Sequence, residues 1–131
     1  MAALYGRDRA CQGLGITLEA VSTGHAVMRM TVAPVMANGH GIAHGGFLFL
    51  LADAAFSYAC NSYGPVTVAQ AAQVTFLAPA AVGDELTAEA VERTRSGRTG
   101  VYDVTVRNAA QKVIAEFRGQ SVMLAGAPQT G

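Results

Sequence analysis

The sequence has little charge and no excess of either sign. Charged residues make up 14% of its 131 residues, against a usual share of about 25%. Nine Lys and Arg balance nine Asp and Glu. With no basic excess to neutralise phosphates, a nucleic-acid partner is not expected. Disorder is excluded too, because 51% of the chain is apolar and there is no self-repulsion. A neutral, sparsely charged surface instead favours self-association. Cysteine is scarce and unpatterned: Cys11 and Cys60 have neither CxxC nor zinc spacing. The N-terminus carries Arg7, Asp8 and Arg9 without a long apolar stretch, so no secretory signal is expected. The longest apolar run, Phe47 to Ala59, is too short to span a bilayer and is interrupted by Asp53. These absences predict a cytoplasmic protein with free thiols and no membrane partner. No linker or internal repeat breaks the chain, so one domain over residues 1–131 is expected.

What charge there is lies unevenly. Between Met30 and Gly83, a span of 54 residues, the one formally charged side chain is Asp53. It sits among Leu50, Leu51, Ala52, Ala54, Ala55 and Phe56. A carboxylate in such company is costly to bury unless it has partners or a task.

The patterning gives the elements. Residues 1–13 are expected to form one short helix. Residues 15–22 and 25–33 alternate around Ser22-Thr23-Gly24 and predict a hairpin. Residues 34–46 read as a loop, and 45–61 as one long helix that is apolar on nearly every face. Asn61-Ser62-Tyr63-Gly64-Pro65 ends that helix. Strands follow at about 66–78, 83–95, 98–108 and 112–124, and the tail from Ala125 to Gly131 is expected to fray. The fold class is α+β; an antiparallel sheet wrapped around one central helix fits the pattern, which periodicity alone does not separate from other α+β layouts. The helix face turned away from the sheet needs a cover, most simply a second copy of the chain.

The loop that enters the helix carries Asn38, Gly41, His44, Gly45 and Gly46. Unpaired N–H groups of a first helical turn point outward, and Gly45 has no side chain to keep a ligand away. A carbonyl oxygen gaining negative charge suits that position, so Gly45 is a candidate oxyanion site. Asp53 lies eight residues further on, about 12 Å along a helix. One chain cannot easily bring both groups to one carbonyl. Two antiparallel helices across a dimer interface can, and they would form two equivalent sites.

The run Asn38-Gly39-His40-Gly41-Ile42-Ala43-His44-Gly45-Gly46-Phe47, followed by Leu51-Ala52-Asp53-Ala54-Ala55-Phe56, resembles the hotdog-fold acyl-CoA thioesterases. Within them it is most similar to the phenylacetic acid degradation thioesterase (PaaI) branch. The Phe76-Leu77-Ala78-Pro79-Ala80 strand end and the Arg95-Ser96-Gly97-Arg98-Thr99 turn extend the resemblance over nearly the whole chain. It implies a hotdog fold, a homodimer assembled into a homotetramer, and hydrolysis of coenzyme A thioesters with no cofactor beyond the substrate's own coenzyme A. It further implies Asp53 as general base or nucleophile, Gly45 N–H as the thioester-oxygen donor with Gly46 beside it binding substrate, Asn38 orienting water or substrate, and His44 holding the loop and hydrogen-bonding the thioester. A hydroxyl common in the family after the helix is missing here; either Gln70 or Gln73 replaces it or the position is unfilled. Phe47, Leu48, Leu51, Phe56 and Tyr63 are candidates for an apolar slot suited to aryl or medium acyl groups. Arg95, Ser96, Gly97 and Arg98 are the candidate dock for a coenzyme A phosphate.

Plainer readings stand beside these. Asp53 can be a structural acid inside an interface, and Gly45-Gly46 a close-packing device. The Arg95–Arg98 cluster can be a solvated hairpin tip. His40 and His44 have the spacing of a zinc pair, but the segment between them is poorly helical and has no third ligand nearby, so no metal is expected. Ser57 and Ser62 lack the GxSxG elbow of serine hydrolases. The rival activities are an acyl-CoA hydratase or dehydratase using His44, and a non-catalytic acyl-CoA-binding protein.

Overall fold

Alternating strands and one long helix assemble around a shared apolar layer. The computed structural model of the chain describes residues 1–128, the last four by backbone alone. Two short helices, α1 (Ala2–Gly6) and α2 (Arg9–Gly13), stand where one was expected. The break has a local cause: the Asp8 side chain accepts a hydrogen bond from Cys11 N and so caps a new helix start. The hairpin follows as β1 (Thr17–Ser22) and β2 (His25–Thr31), turned through Gly24 at φ +70°. A 3₁₀ turn at Pro34–Met36 begins the loop that leads to α3 (Gly45–Cys60).

Helix α3 ends one residue before the expected boundary and passes into a 3₁₀ turn at Asn61–Tyr63. The Asn61 side chain holds that corner: its amide donates to Ser57 O and Thr67 O and its Oδ1 accepts from Thr67 N. Then come β3 (Pro65–Phe76), β4 (Glu85–Ser96), β5 (Thr99–Arg107) and β6 (Val113–Pro128). Strand β6 continues to Pro128, opposite Pro65, so the tail expected to fray stays paired that far; residues 129–131 lie outside the described part.

The six strands form one antiparallel sheet in the order β1-β2-β4-β5-β6-β3. Its concave face carries Ala26, Met28 and Met30 from β2, Leu86, Ala88 and Ala90 from β4, and Tyr102, Val104 and Val106 from β5, all buried. The alanines let α3 approach closely, and it packs chiefly on those three strands. Among the α+β layouts that fit the pattern, this is the one the family resemblance implies: a sheet curled around one central helix.

Two surfaces are left without cover. On α3, Gly46, Leu50, Asp53 and Ser57 are not buried. Their spacing makes a stripe along one helix face, turned away from the sheet. The second surface is β3, which is the last strand in the sheet and is exposed along most of its twelve residues. Among the described residues no helix is long and apolar enough to cross a membrane.

Candidate active site

The site is built where the loop after β2 enters α3. Asn38 organises that loop. Its Oδ1 accepts the N–H of His40 at 2.9 Å and of Ile42 at 3.3 Å, and its backbone N–H donates to Ile42 O at 2.7 Å. The two bonds to Oδ1 fix which end of the amide is oxygen and leave its NH₂ group as the available donor. Gly41, at φ +79°, makes the tight return that a residue with a Cβ would resist. The loop is then stitched down: Ala43 N donates to Ala80 O and His44 N to Met36 O, each at 2.8 Å.

His44 is the N-cap of α3 in extended conformation, and its side chain makes no capping bond. The first N–H groups of α3, on Gly45 and Gly46, therefore have no protein acceptor among the described residues. They remain free to hold a ligand oxygen, with the helix dipole behind them.

Asn38 and Gly45 meet on one cavity of about 570 Å³, whose other walls include Ile42, Leu48, Phe76, Leu77 and Pro79. Of the expected site residues, Asn38, Gly45 and the slot candidate Leu48 come together here. Gly46 is exposed beside them, on the uncovered stripe of α3. Phe47 is half-buried against the core, and the His44 side chain is exposed.

Asp53 lies on that stripe, outside the cavity, with its carboxylate in no hydrogen bond or ion pair among the described residues. Burial lifts its pKa above the ordinary carboxylate value. Cys11 and Cys60 lie within electrostatic reach of it, and burial pushes both thiols up to about 12. Both cysteines are therefore inert core residues, as expected of Cys60.

The structure does not bring the remaining candidates to that cavity. Phe56 is buried in the core, its ring 5.6 Å from Tyr102 and 5.8 Å from Phe117. Leu51 is equally enclosed. Tyr63 stands past the far end of α3, where its hydroxyl donates to Glu92 Oε1 at 2.6 Å. The expected slot around Leu51, Phe56 and Tyr63 is thus filled by the protein itself. Gln70 lines a separate cavity of about 150 Å³ with Thr94, Ser96 and Thr99, while Gln73 is exposed on β3.

The Arg95–Arg98 segment closes the hairpin of β4 and β5, with Gly97 at φ +60°. Its guanidinium groups have protein partners. Arg95 stacks 3.5 Å over the Tyr63 ring, and Arg98 donates twice to Met123 O, at 2.9 and 3.1 Å. Arg93, nearby on β4, is tied to Asp103 at 3.1 Å. His25 bonds Glu89 at 2.7 Å, and among the described residues no three His, Cys, Asp or Glu are grouped to hold a metal.

Phe76, Leu77 and Pro79 line the cavity but were not among the expected site residues. The available signal was an apolar strand end followed by proline, Phe76-Leu77-Ala78-Pro79, on a strand with no partner beyond it.

Comparison with known proteins gives a consistent result. The profile of the family described as Thioesterase superfamily matches residues 40–115. The chain is 48% identical to a protein of Escherichia coli K12 named acyl-coenzyme A thioesterase PaaI, over 95% of this chain and 89% of that one. A solved structure of the E. coli PaaI protein from the phenylacetic acid degradation operon superposes with a TM-score of 0.94 at 47% identity, covering 96% of this chain and 91% of that one. A mutant of the phenylacetic acid degradation protein PaaI from Thermus thermophilus superposes at 0.84 with 36% identity, covering 88% and 98%.

Proposed function

Because the chain belongs to the thioesterase superfamily and is a thioester hydrolase with the hotdog fold, we propose that it cleaves aryl- or medium-chain acyl-CoA thioesters at a site shared between two subunits. Acyl-CoA thioesterase activity is the coarse part, supported by the E. coli relative. The aryl preference draws on the phenylacetic acid degradation proteins to which the chain is similar.

The observation that carries the mechanism is the unsatisfied N–H of Gly45 beside Asn38 in an apolar cavity, with the free N–H of Gly46 next to it. A thioester carbonyl oxygen accepts from them. As the carbonyl carbon becomes tetrahedral, negative charge grows on that oxygen and the interaction strengthens. The Asn38 NH₂ group orients the attacking water or the substrate. His44 contributes through its backbone, which fixes the loop.

Asp53 supplies the base or the nucleophile. As base, it takes a proton from water while the water oxygen bonds to the carbonyl carbon. The C–S bond then breaks, and coenzyme A leaves as the thiol once it regains that proton. As nucleophile, the Asp53 carboxylate bonds to the carbonyl carbon and the C–S bond breaks with coenzyme A leaving as thiolate; water then opens the mixed anhydride, releasing the acid, restoring the carboxylate and supplying the proton that the thiolate takes up. Thioesters are activated enough for either route without a Ser-His pair.

Within one chain, Gly45 and Asp53 are about 12 Å apart along α3. A second subunit packed antiparallel on the stripe of Gly46, Leu50, Asp53 and Ser57 resolves this. It would bring Asp53 of the partner subunit to the Gly45 N–H. Pairing of the open edges of β3 would extend the sheet across the same interface. The coenzyme A phosphates would dock at the exposed turn of Ser96, Gly97 and Arg98, where the Arg98 guanidinium, held on one side by Met123 O, supplies positive charge. No cofactor enters this chemistry.

The test is hydrolysis of a panel that includes phenylacetyl-CoA by wild type and Asp53→Asn. A fall of about two to four decades in kcat is expected if Asp53 acts on the reacting atoms. Equal rates would remove it from the chemistry.

A further inference from the structure

We infer that Phe76 selects the acyl group, its ring forming the wall against which the acyl chain lies. This rests on the reading of the Gly45 cavity as the thioester site. The ring's position is the first support. A Cβ added at residue 45 would stand 2.8 Å from Phe76 Cζ and 3.2–3.3 Å from its two Cε atoms. The far edge of the ring therefore lies over the first residue of α3. A carbonyl held by the Gly45 N–H has that ring as a close neighbour.

The walls say which half of the substrate enters. Ile42, Leu48, Phe76, Leu77 and Pro79 are apolar, and Asn38 is the one polar side chain among the lining residues. The pantetheine arm carries amides that need hydrogen-bond partners when desolvated; an acyl chain needs none. The cavity suits the acyl end.

Phe76 is also free to act on specificity without carrying the fold. Its backbone is fixed in the ladder opposite Ala115, yet the residue is 51% exposed. An aromatic ring here favours a ring in the substrate, through offset or edge-to-face contact.

The experiment measures kcat/KM for phenylacetyl-CoA and octanoyl-CoA with wild type, Phe76→Ala, Phe76→Leu and Asp53→Asn. Phe76→Ala is expected to lower the phenylacetyl-to-octanoyl ratio by about tenfold, with Phe76→Leu between it and wild type. A merely structural role would move both substrates together. A Gly45→Ala variant adds a second readout, because its methyl group meets the ring. Its loss for phenylacetyl-CoA should shrink in the Phe76→Ala background. A ratio unchanged within about twofold, with hydrolysis still dependent on Asp53, overturns the role of Phe76 and leaves the site standing. Hydrolysis that survives Asp53→Asn at full rate overturns the reading of the site, and this assignment with it.

Discussion

Asp53 is held against its own charge. It lies mid-helix among buried alanines and leucines, and among the described residues nothing donates to its carboxylate. Burial raises its pKa in the folded chain above the value near 3.9 expected when unfolded. Between those two values the folded state binds more protons. Stability therefore falls as pH rises through the folded pKa, and the cost is fully present at neutral pH. Asp53→Asn should raise Tm at pH 7 and lose that advantage below about pH 4, where the aspartate is neutral in both states. Melting curves of the two proteins across pH test this; an equal Tm at pH 7 contradicts it. If Asp53 acts as proposed, activity has the opposite dependence, since a base must be ionised. The acidic limb of kcat/KM should therefore lie above the ordinary carboxylate range. Asp53 was legible in the sequence because a lone charge in a 54-residue gap stands out whatever the fold. Phe56 was misjudged for a related reason: sequence distance from Asp53 does not say which side of a helix faces the sheet.

At the scale of elements, α3 and its neighbours are matched by small residues at the points of contact. Gly119 on β6 faces Phe56, and a Cβ there would stand 2.7–2.9 Å from three ring carbons. Phe56 is enclosed by Tyr102 and Phe117, so its ring has little room to yield. Gly119→Ala should destabilise by about 1–3 kcal/mol, read as a lower denaturation midpoint with unchanged slope. Gly45→Ala is the contrasting case, because the half-exposed Phe76 ring can swing aside. The helix itself was readable to within a residue, since glycines open it and Asn61-Ser62-Tyr63-Gly64-Pro65 closes it. The break between α1 and α2 was not, because it depends on one Asp8 side chain turning back to cap Cys11. The cavity wall at Phe76 and Leu77 was missed because nothing in a period-two pattern reveals which strand end meets a helix start.

At the scale of the whole molecule, the proposed shared site has a signature that no single variant gives. Gly45→Pro removes the N–H, and His44 is already in the extended conformation that precedes proline. Homodimers of Gly45→Pro and of Asp53→Asn should each be nearly inactive. Refolded together, half of the dimers would be mixed, and each would keep one intact site. About a quarter of wild-type activity should return. Failure to recover any activity from mixed dimers, verified by mass, would place the whole site within one chain.

The open edge of β3 bears on how long a lone subunit can survive. Its twelve residues carry no charged side chain, and its one proline stands at the first position, where it interrupts nothing. Sheets that meet water usually guard such an edge with lysine, a bulge or a mid-strand proline. Here the ladder to β6 shifts twice, near Pro65 and near Ala69, leaving Ala71–Phe76 in unbroken register. That stretch is a ready template for another chain in any orientation. If the proposed dimer forms, dilution that parts it should therefore end in precipitation rather than in a reservoir of monomer. A lone chain with this edge bare would be in a race against its own stickiness.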